Sequence, residues 1–253
     1  MDLGLGGKRA LITGASKGIG RATARVLAKE GCDVHLVART AGELEETAKA
    51  IRASTGRVAT YTAMDLSVSD NVTRLCKENS DIDILVNNAG AIPAGTIDSV
   101  DESTWREAWD LKVFGYINMC RATYANMRGR GGVIINVIGT GGERPRSNYA
   151  AGAGGNAALM GLTRGLGGGS TEDGIRVVGI NPGLIETDRM VTMLRVQADL
   201  KLGDAERWKE LLDSVFPPGQ PEHIADMVAF LASDRSSNTT GTIITIDGGQ
   251  CGR

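Results

Sequence analysis

The sequence is poor in the residues that build metal sites and histidine-based catalytic groups. It has only two histidines and four cysteines, with no Cys-x-x-Cys pair and no histidine cluster. Zinc ligands occur in closely spaced sets, so this scarcity argues against a zinc site, and the cysteines are interpreted as reduced cytosolic thiols. His35 lies in an apolar run typical of a strand, and His223 follows Pro221-Glu222 as in a first helical turn. Neither histidine is therefore a good candidate for a histidine-based catalytic triad.

Excess basic charge and long apolar runs are missing too. The net charge is -2, which argues against non-specific nucleic-acid binding because such binding needs a basic face. No apolar run approaches the ~20 residues of a membrane-spanning helix. No basic-then-apolar leader is visible at the N-terminus. We expect a cytoplasmic protein with no nucleic-acid or membrane partner.

The sequence does contain a regular alternation of strand and helix patterns. Its 253 residues, 42% of them hydrophobic, suffice for one large core, and no linker or repeat divides them. Alternating strands and helices predict parallel βαβ units, and almost continuously apolar strands indicate a sheet covered on both faces. The predicted fold is α/β, a single Rossmann-type domain over residues 1–253 with a doubly wound parallel sheet.

The predicted strands are Lys8–Thr13, Asp33–Ala38, Val58–Ala63, Ile82–Asn87, Gly132–Val137, Ile175–Ile180 and Thr242–Ile246. The predicted helices are Gly20–Glu30, Gly42–Ser54, Ser69–Asn79, Glu102–Met127 and Gly155–Gly167.

A glycine-rich loop joins the first predicted strand to the first helix. It reads Thr13-Gly14-Ala15-Ser16-Lys17-Gly18-Ile19-Gly20. Glycines permit a tight turn and let the backbone approach a pyrophosphate, and the N-terminus of the following helix favours an anion. The loop resembles the Thr-Gly-x-x-x-Gly-x-Gly motif of the short-chain dehydrogenase/reductase family.

Further segments resemble this family in order and over nearly the whole chain. Asp65-Leu66 resembles its adenine-contacting pair, and Asn87-Asn88-Ala89-Gly90 has the same residues as its Asn-Asn-Ala-Gly motif. Asn181-Pro182-Gly183 with Thr187 resembles the segment that meets the nicotinamide carboxamide, and Asp247-Gly248-Gly249 also fits. The cofactor-binding residues that the loop, the resemblance and the strand ends indicate are Gly14, Ser16, Lys17, Gly18, Ile19, Gly20, Arg39, Asp65, Leu66, Asn88, Ala89, Gly90, Pro182, Gly183 and Thr187.

The end of the second strand favours NADP(H) over NAD(H). NAD-specific members usually place an acid there, which accepts a hydrogen bond from the ribose 2′-hydroxyl. Here the position is Ala38, followed by Arg39. Arg39 can bind a 2′-phosphate with its planar fork, and Lys17 can add a second positive charge. The predicted cofactor is NADP(H).

The family's catalytic Asn, Ser, Tyr and Lys are all replaced in this sequence. Strand five places Gly139 at the Ser position. Asn156-Ala157-Ala158-Leu159 resembles the family's Lys-Ala-Ala-Leu, which places Asn156 at the Lys position and Gly152 at the Tyr position. Lys112 stands where the family has Asn. A shifted register aligns Tyr149 with the family's catalytic tyrosine but puts Ala153 at the lysine position. It therefore does not restore the catalytic Tyr–Lys pair.

Two interpretations remain open. In the first, the protein is an oxidoreductase that interconverts a carbonyl and an alcohol with a rearranged site. Tyr149, three residues before Gly152 on the same helix face, is then the acid, and Lys112 stabilises its tyrosinate. In the second, it is a catalytically weak or inactive NADP(H)-binding protein, a sensor or a partner subunit.

The surroundings of the site carry weaker expectations. Glu143, Arg144 and Arg146 lie in a loop that can recognise a polar substrate or simply be solvated. Residues 188–216 correspond to the family's substrate lid, and their apolar residues either line a pocket or pack an amphipathic helix onto the body. The resemblance implies a homo-oligomer, tetramer or dimer, and a small-molecule carbonyl or alcohol substrate.

Overall fold

Seven parallel strands form the centre of the molecule within the part that the computed structural model describes, residues 2–213, 215 and 217–252. Their order across the sheet is β3-β2-β1-β4-β5-β6-β7. The strands are β1 Arg9–Thr13, β2 Asp33–Ala38, β3 Ala59–Ala63, β4 Ile84–Asn87, β5 Gly132–Val137, β6 Ile175–Pro182 and β7 Ile243–Ile246. The predicted fold class, a doubly wound parallel sheet in a single Rossmann-type domain, is confirmed.

Helices cover both faces of this sheet. They are α1 Gly18–Lys29, α2 Ala41–Thr55, α3 Ser69–Glu78, α4 Glu102–Trp109, α5 Gly115–Met127, α6 Ala150–Gly169, α7 Asp188–Leu202 and α8 Pro221–Ala232. Buried side chains of α1, α2 and α8 form one core with the sheet, and those of α3 and α5 form another on the opposite face. Strands buried on both faces explain the continuous apolar runs of the sequence.

The sheet order reverses between β1 and β4. The first connection leads from β1 outward to β2 and β3, and the chain then returns to pair β4 with β1, with Ile12 opposite Val86. The connections that follow β1 and β4 lead to opposite edges of the sheet. Ligands of open α/β sheets bind at such a switch point.

Three helical predictions differ from the structure. The predicted helix Glu102–Met127 is interrupted by a π-helical turn, Asp110–Phe114, which separates α4 from α5. The helix predicted from Gly155 begins at Ala150, because packing holds a glycine- and alanine-rich first turn whose periodicity is weak. The lid region contains α7 and a 3-10 segment, Ala205–Leu211, while residues 214 and 216 lie outside the described residues.

The two histidine predictions are confirmed. His35 lies in β2, where its ring nitrogens are 2.8 and 3.0 Å from the hydroxyls of Thr60 and Thr62. His223 is in the first turn of α8, where its Nδ1 accepts a hydrogen bond from the backbone N–H of Gln220. Both therefore have structural roles.

Candidate active site

The glycine loop is fastened to the loop after β4 at the switch point. The Thr13 hydroxyl oxygen accepts hydrogen bonds from the backbone N–H groups of Asn88 and Ala89 at 2.9 and 3.0 Å. The Asn88 side-chain amide donates to the carbonyls of Thr13 and Gly14. A Cβ on Gly20 would lie 2.2 Å from the Gly14 carbonyl oxygen, so the turn closes only with glycine there. These contacts fix the loop that the sequence predicted as a pyrophosphate cradle.

The start of α1 is suited to an anion. Lys17 is the N-cap residue of this helix and makes no side-chain capping hydrogen bond, so the first backbone N–H groups stay available. Thr187 approaches from the opposite side of the crevice, because a Cβ on Gly18 would lie 3.2 Å from its Cγ2. The loops after β1 and β6 therefore border one cleft, and the residues present fit a dinucleotide phosphate.

Residues around the predicted adenosine end also converge. Asp65 accepts hydrogen bonds from the backbone N–H and hydroxyl of Ser67. Partial burial acts to raise the pKa of Asp65, but these hydrogen bonds and the nearby charge of Arg39 outweigh it and lower the pKa. Leu66 is buried beside it. Arg39 itself is exposed just after β2.

A carboxylate that sequence reasoning missed also lies here. Glu43, in the first turn of α2, has its Oε1 3.3 Å from the Lys17 Nζ. The hydroxyl of Ser16 and the ammonium of Lys17 hold the pKa of Glu43 below its usual value. An acid in the first turn of a helix that follows Arg39 was visible in the sequence. Its pairing with a lysine 26 residues away was not.

Tyr149 lies at the entrance of α6 with its ring over Gly152. A Cβ on Gly152 would lie 1.9 Å from the Tyr149 Cζ, so the phenol ring fills the space of a side chain at that position. The Tyr149 backbone pairs with Gly95 in an isolated bridge, which fixes the start of the helix. The phenol makes no hydrogen bond to any other described residue. Burial raises its pKa, and the positive charge of Arg189 partly opposes this.

Lys112 is a buried ammonium in the π-helical turn. Its Nζ donates hydrogen bonds to the Tyr116 hydroxyl at 2.9 Å and to the Val137 carbonyl at 2.8 Å. It also lies over the Tyr116 ring, 4.6 Å from its centre. Burial, reinforced by the charge of Arg189, lowers the pKa of Lys112 to about 7. The structure shows no direct hydrogen bond between Lys112 and Tyr149, so any effect of one on the other acts through space.

Arg189 is a further charged residue that the sequence placed only within the lid. It lies in the first turn of α7, and its guanidinium donates to the carbonyls of Gly90 and Ile92 at 2.8 and 2.9 Å. These carbonyls belong to the loop after β4, so Arg189 ties the lid helix to that loop. Its charge lowers the pKa of both Lys112 and Tyr149.

The amide of Asn156 lies in front of Gly139. A Cβ on Gly139 would be 3.1 Å from the Asn156 Nδ2, and one on Gly141 would be 3.3 Å from the same atom. Asn156 is only 3% exposed, and its side chain makes no hydrogen bond to another described residue. The positions that the resemblance assigned to Ser and Lys are therefore adjacent in space, as the register requires.

The loop between β5 and α6 is anchored more firmly than a solvated loop. The Glu143 carboxylate accepts hydrogen bonds from the Asn181 amide at 2.8 Å and from the Thr245 hydroxyl at 2.8 and 2.9 Å. The Arg144 guanidinium donates to the carbonyl of Gln250. Glu143, Arg144 and Arg146 are all exposed, and only Arg146 makes no such contact among the described residues. Glu143 and Arg144 thus connect this loop to β6, β7 and the C-terminal segment.

The lid region packs an amphipathic helix onto the body. Met190 and Leu194 of α7 are buried. The Thr187 hydroxyl caps this helix by accepting from the Met190 backbone N–H. Of the two sequence interpretations of these apolar residues, packing is the one that the described part shows for Met190 and Leu194.

Two kinds of site are absent from the described residues. Within them, no group of three or more His, Cys, Asp or Glu residues is placed to hold a metal ion. None of the helices described has the length and apolar character needed to cross a membrane.

Comparison with known proteins identifies the family. Residues 8–197 match the family model for short chain dehydrogenases. The chain belongs to the short-chain dehydrogenase family. The prediction from its motifs is confirmed, and so is the expectation of an oxidoreductase, because its relatives are enzymes of this type.

Several relatives match over nearly the whole of this chain. A 3-oxoacyl-[acyl-carrier-protein] reductase of Chlamydia trachomatis is 31% identical, with 96% of each chain covered. The 2-keto-3-deoxy-L-fuconate dehydrogenase of Xanthomonas campestris is 33% identical over 97% of this chain and 80% of its own. The structure of L-sorbose reductase from Gluconobacter frateurii, a complex with NADPH and L-sorbose, superimposes with a TM-score of 0.91 at 33% identity and full coverage of both chains. NADPH-bound neighbours of this kind bear out the predicted cofactor.

Proposed function

We propose that this protein is an NADP(H)-dependent oxidoreductase that interconverts a small carbonyl compound and its alcohol, with Tyr149 as the acid and base. The observation that carries the proposal is the Tyr149 ring over Gly152, at 1.9 Å from the Cβ position that the family's tyrosine would use. The phenol is supplied three residues earlier, from the N-cap of α6. Several relatives are named as reductases of keto compounds or dehydrogenases of hydroxy compounds, and this supports carbonyl–alcohol interconversion as the reaction class.

On this proposal the cofactor lies along the crevice at the carboxyl ends of β1, β4 and β6. Gly14, Gly18, Ile19 and Gly20 form the loop for the pyrophosphate, with Thr187 opposite. Asp65 and Leu66 border the adenine, while Lys17 and Arg39 bind the 2′-phosphate. Asn88, Ala89, Gly90, Pro182 and Gly183 complete the cleft toward the nicotinamide. When bound, NADPH supplies the hydride, and the chain's own residues supply the proton and the orientation of the substrate.

Tyr149 has the properties of a proton donor in carbonyl reduction. Its hydroxyl has no protein partner among the described residues, and its raised pKa keeps it protonated at neutral pH. As hydride arrives at the carbonyl carbon, the phenol gives its proton to the carbonyl oxygen, and the product is an alcohol. The reverse reaction requires the tyrosinate to take that proton back.

Positive charge around Tyr149 stabilises the tyrosinate. The positive charge of Arg189 acts through space to lower the Tyr149 pKa, against the effect of burial. Lys112 adds charge only below its own pKa of about 7, because burial disfavours its ammonium. The Asn156 amide, buried and without a protein partner, is placed to donate a hydrogen bond to the substrate oxygen where Gly139 has no side chain.

Kinetics with a panel of ketones and aldehydes test this proposal. We expect NADPH oxidation with at least one carbonyl substrate, and Tyr149→Phe should lower kcat by about 10²- to 10⁴-fold while the Kd for NADPH stays unchanged. Lys112→Met should lower kcat less. Tyr61→Phe, on the exposed edge strand β3, is the matched control and should have no effect. Turnover that survives both Tyr149→Phe and Lys112→Met would overturn the rearranged site.

The second candidate is a catalytically weak or inactive NADP(H)-binding protein. It is favoured by one specific observation, the lack of any acid, base or hydroxyl side chain at Gly139 and Gly152. On this candidate the protein binds NADPH tightly and oxidises it with no member of the carbonyl panel. Binding and turnover measured on the same preparation therefore separate the two functions.

A further inference from the structure

The two cations expected at the 2′-phosphate differ in their surroundings. Lys17 is already paired with Glu43, with 3.3 Å between Nζ and Oε1. Arg39 makes no hydrogen bond or ion pair to another described residue and is exposed at the end of β2. One cation is therefore ready for a phosphate, whereas the other must first leave a carboxylate.

The Glu43 carboxylate lies close enough to the Ser16 hydroxyl and the Lys17 ammonium for both to lower its pKa, but one of its two oxygens is left without a hydrogen bond of normal geometry. Its Oε1 faces Lys17, but its Oε2 is buried and accepts no hydrogen bond of normal geometry from the described residues. A buried carboxylate oxygen without a donor is costly, and the first turn of α2 offsets only part of that cost. The position thus calls for a hydroxyl or N–H donor from a ligand.

The location of this acceptor indicates which donor it meets. Glu43 lies beside Ser16 and Lys17 of the glycine loop and four residues after Arg39. In dinucleotide-binding sheets this is the ribose end of the crevice, where an acid accepts a hydrogen bond from the 2′-hydroxyl of NAD. The strand end itself has no acid, so the carboxylate reaches this space from α2 instead.

We propose that Glu43 extends the cofactor range of this site to NAD(H) by accepting a hydrogen bond from the ribose 2′-hydroxyl of NAD(H), and that it weakens the binding of NADP(H) because Lys17 must leave it before binding the 2′-phosphate. This inference goes beyond the proposed function, because it concerns the cofactor end only and uses neither Tyr149 nor Lys112. The carboxylate helps one cofactor and hinders the other.

Electrostatics make the two effects opposite in sign. The 2′-phosphate repels the Glu43 carboxylate, and Lys17 must give up its ion pair before it binds that phosphate. The pair is 58% and 39% exposed at its two side chains, and exposed pairs are weak, so the loss to NADP(H) is small. A hydrogen bond from a hydroxyl to a carboxylate is stronger than one between neutral groups, so the gain to NAD(H) is the larger effect.

Binding titrations of the full chain test this inference without a turnover assay. Fluorescence titration gives the Kd for NADPH and for NADH in the wild type and in Glu43→Ala, Glu43→Gln and Lys17→Met. Glu43→Ala should lower the Kd for NADPH by roughly two- to fivefold and raise the Kd for NADH by roughly tenfold. Glu43→Gln should act in the same directions, with a smaller loss for NADH because the amide oxygen still accepts. Glu45→Gln, an exposed acid two residues on, is the control.

The Lys17 variants identify the cause. Lys17→Met should weaken NADPH and leave NADH almost unchanged, and the gain in NADPH affinity from Glu43→Ala should shrink in the Lys17→Met background. The inference is overturned if Glu43→Ala leaves both Kd values unchanged or shifts the Kd for NADPH and the Kd for NADH in the same direction. Glu43 is then only an acid at a helix N-terminus. Since these variants leave Tyr149 and Lys112 unchanged and are read out by binding alone, this failure is distinct from a failure of the proposed reaction, which the Tyr149→Phe kinetics detect.

Discussion

The buried ammonium of Lys112 makes the stability of the fold depend on pH in a defined window. Lys112 is 8% exposed, and its pKa falls from 10.5 in a solvated lysine to about 7 in the folded chain. Between these two values the unfolded chain binds more protons than the folded chain, so the free energy of unfolding rises with pH. Below about pH 7 the buried, charged lysine lowers the free energy of unfolding by its full amount, about 4–5 kcal/mol.

Lys112→Met removes this cost and leaves no buried group without a partner. The Tyr116 hydroxyl donates directly to the Val137 carbonyl at 2.9 Å, and that bond does not need the lysine. Methionine keeps most of the aliphatic volume. We expect the variant to be more stable than the wild type by up to about 4 kcal/mol at pH 7 and by about 2 kcal/mol at pH 9, because the wild type regains about 1.4 kcal/mol per pH unit.

Urea unfolding followed by circular dichroism at pH 6, 7, 8 and 9 measures this difference. The control is Lys49→Met, a lysine on the exposed side of α2, for which the difference from the wild type should stay constant with pH. A Lys112→Met difference that does not change between pH 7 and pH 9 would refute the reasoning. It would mean that the ammonium is stabilised in place by its two hydrogen bonds.

Two further predictions concern the position of the phenol. Gly152→Ala places a Cβ 1.9 Å from the Tyr149 Cζ, so the ring must move, and we expect a loss of about 1–3 kcal/mol in stability and at least a tenfold lower kcat. Gly161→Ala on the same helix, where nothing lies within 4 Å, is its control, and equal melting temperatures and kcat for the two variants would contradict the close packing of the ring. Arg189→Met removes a charge that lowers the Tyr149 pKa, so the pH profile of alcohol oxidation should shift upward, and an unshifted profile would exclude that influence.

Strand positions could be predicted well because they depend on local composition. Asp33–Ala38 and Gly132–Val137 are strands with the predicted bounds, since both are mainly apolar, β-branched-rich runs between turn residues. The start of α6 could not be placed, because its first turns are Ala-Ala-Gly-Ala-Gly-Gly and lack a hydrophobic period. A tertiary bond holds it instead: the Trp109 indole N–H donates to the Ala151 carbonyl at 2.9 Å, 42 residues away.

In the candidate site too, features set by the local sequence could be predicted, and features set by tertiary contacts could not. Motif residues such as Gly20 and Asn88 were identifiable because the turn itself demands them. The partners of Lys17 and Arg189 were not, because Glu43 and the carbonyl of Gly90 are remote in sequence. Nor did any local signal mark the π-helical turn that turns Lys112 toward the Val137 carbonyl. Charge pairing across elements is a property of the folded crevice.

The ring of Tyr149 and the glycine at 152 depend on each other. Tyr149 is the N-cap residue of α6, and its phenol reaches the space over position 152 only when 152 has no side chain. A tyrosine at 152 and the present position of Tyr149 exclude one another. The missing tyrosine of the family pattern is thus also the condition under which another phenol can enter the same space. On the proposed function, the catalytic tyrosine that an alignment shows as missing is instead displaced by three residues, from 152 to 149. The positive charge that supports it then comes from Arg189 and Lys112 and not from a lysine on α6.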